Sequence, residues 1–516
     1  MPLETASPSA LEKGDLLNLS SSRRRALVAA LSSFLALAPA ASALELVVGG
    51  VSRRVAPAEL AAAAYPIPLP GGAAGRGVTI GEIAPLVAEA WRLEASSTSA
   101  KRSWADEDLG ERLFDLYLVD AGAGAWDLQV RGERFRSVER IELSAELLAE
   151  DGLEFWLSWE GVPELKAEVQ RFAKAHGKSI RATEVPNTQS KLVAVARGGG
   201  RLPDLVMIQS DYVPTLSRAS LIQSVEYLRT DDLVDKGFEA FRSEGRYWAL
   251  PFYFDAQLVF YRPSIAGPAP AADWSMEELE GRARALKGKV EAPIAFNLYS
   301  AYWLLPFVAG YGKRAMLDAD GGITADDGPT ARALGELLRL RDAGLLAPAE
   351  RDAMISWFAA GKAAYILTGS YSIPEFERAG FDFGVAPYPV VAATGAAVAP
   401  MLDFKGLALS RRTERPVLAR RLAQYLTSAG LQARFTSALS KLPASRSAWE
   451  LARTSNRYFA QLSRSRDIGL VVPPSEAYGA YKNVMWKLLR LVVTGQMKVP
   501  EALAAAQRLI DESVKH

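Results

Sequence analysis

Residues 153–212 read LEFWLSWEGVPELKAEVQRFAKAHGKSIRATEVPNTQSKLVAVARGGGRLPDLVMIQSDY. Leu153–Leu157 is a short apolar strand that ends at Ser158-Trp159-Glu160. Pro163 opens a helix, where its missing N–H costs nothing. Leu165, Val169, Phe172 and Ala173 then recur at helical spacing, and Gly177 ends the helix. Ser179 to Glu184 is a second strand. Gln189 to Arg197 is a second helix, stopped by Gly198-Gly199-Gly200. Leu205 to Ile208 is a buried-type strand running into Gln209-Ser210-Asp211-Tyr212. Strand and helix alternate, which implies parallel strands in an α/β layer. Polar and aromatic residues follow the carboxyl ends of two strands, the edge at which open α/β sheets bind ligands.

The chain around this stretch has 516 residues, enough for several domains. Sixty Lys and Arg against 59 Asp and Glu leave a net charge of +1, which gives no electrostatic reason to expect nucleic acid or an acidic membrane surface. Cysteine is absent, so disulfides, thiolate nucleophiles and thiolate metal ligands are excluded. The two histidines are His176, at the end of a helix, and the terminal His516. A His-based zinc site or a Ser-His-Asp triad would need one of them, and neither a metal nor a cofactor is expected.

Arg23-Arg24-Arg25 precede an apolar run from Ala26 to Ala38, and Ala41-Ser42-Ala43 supplies a small-x-small cleavage site. This is the layout of a secretory signal peptide over residues 1–43. Ser22 to Leu27 resembles a twin-arginine motif, so either the general or the twin-arginine route is open. No Cys follows the cleavage site, so a lipoprotein is not expected. Residues 44–148 form a separate block. Leu46 to Val51 reads as a strand and tight turn, and Val78 to Leu93 as a helix or a strand-helix pair. Phe114–Val119 and Trp126–Val130 read as strands flanking Gly122-Ala123-Gly124, and Phe135 to Leu143 as a further strand. The glycines 71, 72, 75 and 77 lack the Lys-Ser or Lys-Thr of a phosphate loop. A small α+β domain of spacer or interaction type is expected there.

Seven segments of the remainder, taken in order, resemble the extracellular solute-binding proteins of family 1, the maltose-type receptors of ABC importers. They are Glu164–Val185, Ala196–Val206, Tyr247–Tyr261, Trp357–Tyr371, Phe383–Pro389, Lys405–Ser410 and Leu442–Ser445. The likeness runs over residues 153–516, about 70% of the chain. It implies an α/β, two-lobed periplasmic-binding-protein fold (type II-like) with a hinge, occupying residues 149–516 behind the small domain. Lobe 1 would hold about 152–253 and 403–448, lobe 2 about 254–402 and 449–516. Function would be capture of a carbohydrate between the lobes and delivery to an ABC transporter permease, by a monomer without catalysis.

A sugar offers hydroxyls at its rim and C–H surface on its faces, so aromatic walls and convergent carboxylates and amides suit it. The family pattern carries over onto Trp159 and Glu160 after the first strand and Gln209, Asp211 and Tyr212 after the third. It also carries onto Phe254 and Asp255 at the first crossing between lobes, Tyr299, Tyr302 and Trp303 near Asn297, Tyr371 after Thr368-Gly369-Ser370, and Asp403 beside Lys405 at the second crossing. Tyr478 and Tyr481 fall near a late family aromatic. Asp211 as a helix cap, Asp255 as a hinge hydrogen bond and Trp303 as core remain alternatives. Two other functions stay in view: a sensor or adaptor docking through the first domain, and a glycoside hydrolase using Asp211 and Asp255 as paired carboxylates.

Overall fold

The structure is a computed structural model that describes residues 43–48, 51–68, 74–80, 88–105, 116–122, 125–130, 133–147, 150–159, 161–318 and 321–514. The arginines and apolar run read as an export signal lie outside the described residues, and so does Glu160. The chain divides into two compact units, one mainly before residue 150 and one mainly after it.

In the first unit, one sheet runs in the order Val51–Val55, Leu44–Val48, Arg140–Leu147, Ala88–Ser96, Lys101–Ala105. In a second sheet Ala74–Thr79, Tyr117–Gly122, Ala125–Val130 and Glu133–Phe135 are neighbours in that order. Leu46, Leu93, Ile141 and Leu143 of the first sheet share a core with Val78, Leu118 and Leu128 of the second. Leu60 of the helix Pro57–Ala63 joins them. Of the segment Val78–Leu93, read as a helix or a strand-helix pair, Val78 lies in the Ala74–Thr79 strand and Leu93 in the Ala88–Ser96 strand, so a single helix over the whole segment is corrected, and residues 81–87 lie outside the described residues. At the two ends of that segment, pairing into sheets overrides local periodicity. The strand expected over Phe135–Leu143 is two, Glu133–Phe135 and Arg140–Leu147, parted by Ser137 at φ +50°.

The second unit is built on one long sheet. Its path is Ile180–Glu184, Leu153–Leu157, Leu205–Gln209, Met401–Leu409, Leu250–Tyr261, Ala363–Gly369, Ala292–Phe296, Leu346–Pro348. Leu153–Leu157 is parallel to both its neighbours, as the strand-helix alternation requires. Ala292–Phe296 is likewise parallel to Ala363–Gly369 and Leu346–Pro348. Two antiparallel strands join these parallel groups. Met401–Leu409 pairs with Leu205–Gln209 on one side and Leu250–Tyr261 on the other. Leu250–Tyr261 pairs with Met401–Leu409 through its first part and with Ala363–Gly369 from Gln257 onward.

The twelve residues of Leu250–Tyr261 are all buried. Asp255 and Gln257 therefore need partners inside the protein. The Asp255 carboxylate accepts from Lys441 Nζ at 3.1 and 3.0 Å and from Ser370 Oγ at 2.9 Å. Gln257 Oε1 accepts the Met401 N–H at 3.0 Å, and its Nε2 donates to the Tyr302 carbonyl at 3.0 Å. Each of these bonds ties the crossing strand to a different segment, so its polar residues fix where the two groups of strands meet.

The helices follow their sequence signals. Val162–His176 buries Leu165, Val169, Phe172 and Ala173 and stops at Gly177, whose φ of +61° suits glycine. Thr188–Arg197 is capped by Asn187, whose side chain accepts the Ser190 N–H at 2.9 Å. Late in the chain, Glu476–Val493 and Val499–Val514 pack into the same core as Phe296, Leu304 and Tyr365, through Tyr478, Tyr481, Leu489 and Leu503. Among the described residues no helix is long and apolar enough to cross a membrane, and no group of three or more His, Asp or Glu is placed to hold a metal.

Candidate functional site

The polar residues after the strand ends meet at the crossing of the sheet. Gln209 closes the Leu205–Gln209 strand opposite Lys405 in the ladder. Its Nε2 donates to both oxygens of Asp403, at 3.3 and 3.2 Å. Lys405 Nζ donates to Asp403 Oδ2 at 2.6 Å, and the same ammonium lies 5.3 Å from the Trp159 ring centroid. Lys405 is 3% exposed and Asp403 22%, so the lysine is sealed behind a carboxylate that still reaches solvent. Trp159 is half-buried and holds φ at +69°, a left-handed conformation that is costly for a bulky residue. The next described residue, Gly161, also has φ positive, and a Cβ there would run into Leu439 and Phe435. The turn after the first strand is thus forced by close packing, and it sets Trp159 against Lys405.

Asp211 sits in the short 3-10 turn Ser210–Tyr212. It does not cap the following helix, since Val213–Arg218 has no side-chain cap bond. Its Oδ2 accepts instead from Lys482 Nζ, on the helix Glu476–Val493. Its Oδ1 is buried without a hydrogen-bond partner among the described residues. Tyr212, half-buried, ends the turn.

Two tyrosines, Tyr302 and Tyr478, lie beside these carboxylates, and a third, Tyr371, lies beside Tyr302. Burial, with Asp403, Tyr371, Tyr478 and Asp255 nearby, pushes the Tyr302 phenol well above its ordinary range. Burial likewise raises Tyr478, with Asp211 and Asp403 as its next neighbours. Both phenols are held neutral and able to donate. The Tyr371 ring lies against Gly369, where a Cβ would displace it, and Arg351 stands 5.6 Å from its centroid. Tyr299 takes its N–H to Asn297 Oδ1 at 3.2 Å and carries Arg490 over its ring at 4.9 Å.

Trp159, Gln209, Asp211, Tyr302, Tyr371 and Asp403 therefore form one cluster. Three other expected contacts do internal work. Phe254 is fully buried, stacked on Phe404 (4.6 Å) and facing Trp449 (6.2 Å), so both its faces are taken. Trp303 belongs to the core, edge-on to Phe296 and Tyr302. Asp255 is 3% exposed and bound by Lys441 and Ser370 beneath the site. Sequence reasoning passed over Lys482 and Lys441. Both are single lysines whose partners lie far away in the chain, and nothing local marks them.

The electrostatics are balanced pair by pair: Asp211 with Lys482, Asp255 with Lys441 and Asp403 with Lys405. A site with aromatic faces, phenol donors, an amide and internally neutralised carboxylates suits a neutral polar molecule that has apolar faces.

A sequence model of the family described as bacterial extracellular solute-binding protein matches residues 167–457. The chain is 24% identical over 260 residues to the maltodextrin-binding protein MdxE of Bacillus subtilis (strain 168), covering 48% of this chain and 62% of that protein. It is 26% identical over 215 residues to the maltotriose-binding protein of Pyrococcus abyssi (strain GE5 / Orsay), covering 41% and 47%. The chain thus spans about three-fifths of the first relative's length and under half of the second's. The solved GacH receptor of Streptomyces glaucescens GLA.O superposes with a TM-score of 0.63 at 22% identity, over 70% of this chain and 98% of that one. This is a likeness of fold, and it extends the two-lobed α/β reading to nearly the whole of that receptor.

Proposed function

The chain belongs to the bacterial extracellular solute-binding proteins, and from that premise we propose that it captures a neutral carbohydrate at the sheet crossing and delivers it to an ABC importer. The observation that carries the reading is the placement of Tyr302 beside Asp403 and of Tyr478 beside Asp211 and Asp403, each carboxylate already matched by a lysine. Paired charges leave no net field to hold an anion, while phenols and carboxylate lone pairs suit sugar hydroxyls. Relatives named for maltodextrin and maltotriose binding support the same ligand class.

Residues 1–43 act as the export signal, and the lobes 152–253 with 403–448 and 254–402 with 449–516 close on the ligand about the crossing strands. Closure is the state a permease would read. Asp255 is occupied by Lys441, which speaks against a paired-carboxylate hydrolase built on Asp211 and Asp255.

A thermal-shift screen of the full chain against saccharides, polyols and sugar phosphates tests the reading. A ligand bound only by the folded state adds about 2.7 kcal/mol at 100 times its dissociation constant. A shift confined to neutral saccharides supports the proposal. A shift confined to phosphorylated compounds, or none with any saccharide, overturns it.

A further inference from the structure

The helix Glu476–Val493 brings more to the site than Lys482. Tyr478, Lys482 and Trp486 recur every four residues, so each lies one turn beyond the last on the same side of the helix. Tyr478 is buried beside Asp211 and Asp403. Lys482 is partly exposed and binds Asp211. Trp486 is 50% exposed. The row therefore leads from the buried carboxylates out to solvent. Trp486 stands at its outer end, about 12 Å along the helix axis from Tyr478.

Tryptophan is highly buried on average, so an open one calls for an explanation. Among the described residues, the large apolar side chains left exposed are Tyr227, Trp486 and Leu509. Of these, Trp486 is the one on the helix that supplies the site. Its setting is also built. The Arg490 guanidinium lies between two rings, 4.8 Å from the Trp486 centroid and 4.9 Å from that of Tyr299. Arg490 is ion-paired with Glu350, which accepts from Asn297 Nδ2 at 3.1 Å. Asn297 Oδ1 in turn accepts the Tyr299 N–H at 3.2 Å.

Tyr299 and Asn297 follow the carboxyl end of the strand Ala292–Phe296, the edge at which α/β sheets bind ligands. Trp486 is thus tied to that edge of the second parallel group, while Lys482 ties the same helix to Asp211 of the first. A single guanidinium covers one side of an indole. With half of the residue open, the other side of the Trp486 ring faces solvent. Glu350 matches the Arg490 charge, so this rim, like the interior of the site, favours a neutral occupant.

We propose that Trp486 is a specificity-determining residue that sorts saccharides by length. The inference rests on the carbohydrate reading of the site. One sugar ring is held at the Asp211 and Asp403 carboxylates, and a later ring of the same chain stacks on the open face of Trp486. The 12 Å separation exceeds the width of one pyranose ring, so a monosaccharide at the carboxylates does not reach the indole. A linear saccharide of several rings does. Because Arg490 already holds the indole in place, little side-chain freedom is lost when it stacks.

Calorimetric titration of the full chain with glucose and with maltotriose, in the parent and in Trp486→Ala and Trp486→Phe, tests this. The parent is expected to bind maltotriose more tightly than glucose. Trp486→Ala should weaken maltotriose at least about fivefold, as loss of an aromatic contact does, and leave glucose within about twofold. Trp486→Phe should recover most of the maltotriose affinity. The side chain is exposed, so circular dichroism and the melting midpoint should be unchanged in both variants. The inference is overturned by unchanged maltotriose affinity in Trp486→Ala, by equal losses for the two sugars, by glucose binding more tightly than maltotriose, or by binding of neither. The thermal-shift screen separates the two claims. A neutral saccharide that binds irrespective of Trp486 leaves the carbohydrate reading standing and removes only the role of the indole, whereas no shift with any saccharide removes both.

Discussion

The Asp211 carboxylate and the Lys482 ammonium, 271 residues apart in the chain, form an ion pair across the sheet crossing. Asp211 follows a strand of the first parallel group, while Lys482 sits on a helix packed into the core of the second. The pair therefore links the two groups of strands where the ligand is proposed to sit. Asp211→Ala is expected to weaken saccharide binding about tenfold or more, as loss of a charged hydrogen bond does. Lys482→Met should weaken it as well, because the lysine holds the carboxylate in place. Titration calorimetry of both variants checks this, and unchanged affinity in both would remove Asp211 from the site.

The Asp255–Lys441 pair is a different case, since both side chains are almost fully buried, at 3% and 1% exposed. Removing one partner strands the other charge in the interior. Lys441→Met is expected to cost about 3–5 kcal/mol of folding stability. Asp255→Asn added to it should restore part of the loss, because the stranded charge is then gone. Urea unfolding of the single and double variants measures both effects. A double variant no more stable than Lys441→Met would argue against a charge-based cost.

Tyr371 is expected to act through its ring. Tyr371→Ala should weaken binding without unfolding the protein, while Tyr371→Phe should keep most of the affinity. Gly369→Ala provides a second route to the same result, since the added Cβ displaces that ring. Circular dichroism together with calorimetry separates a lost contact from a lost fold.

The buried phenols of Tyr302 and Tyr478 are raised well above their ordinary range. In the unfolded chain they ionise near pH 10. Their contribution to stability is fully present below that pH and is lost as pH rises toward the folded values. Melting midpoints between pH 8 and 11 should fall above about pH 10. The fall should be shallower in Tyr302→Phe, which has one fewer phenol to ionise on unfolding. Parallel curves for the two proteins would contradict the assignment.

Much of the second unit was legible in sequence because its signals are local. Pro163, Gly177, Asn187 and the helical spacing of Leu165, Val169 and Phe172 bound the first helices without reference to distant residues. The positions of Gln209 and Asp211 were legible for the same reason, since residues after a strand of an α/β layer fall at its carboxyl edge. Aromatic positions were harder. Tyr302, Trp303 and Phe254 look alike in sequence, yet burial admits one to the site and sends the others into packing. Lys441 and Lys482 were illegible because a lysine's partner is set by tertiary structure. In the first unit, Val78 and Leu93, at the two ends of a segment with helix-like spacing, belong to strands, where long-range pairing decides the conformation.

The central claim is tested most directly by calorimetric titration of the full chain with the neutral saccharide that gives the largest thermal shift, beside its Asp211→Ala and Tyr371→Ala variants. The account predicts a saturable exothermic isotherm for the parent chain, and dissociation constants at least about tenfold weaker in both folded variants. The same dissociation constant in all three proteins would place the carbohydrate elsewhere and contradict the site.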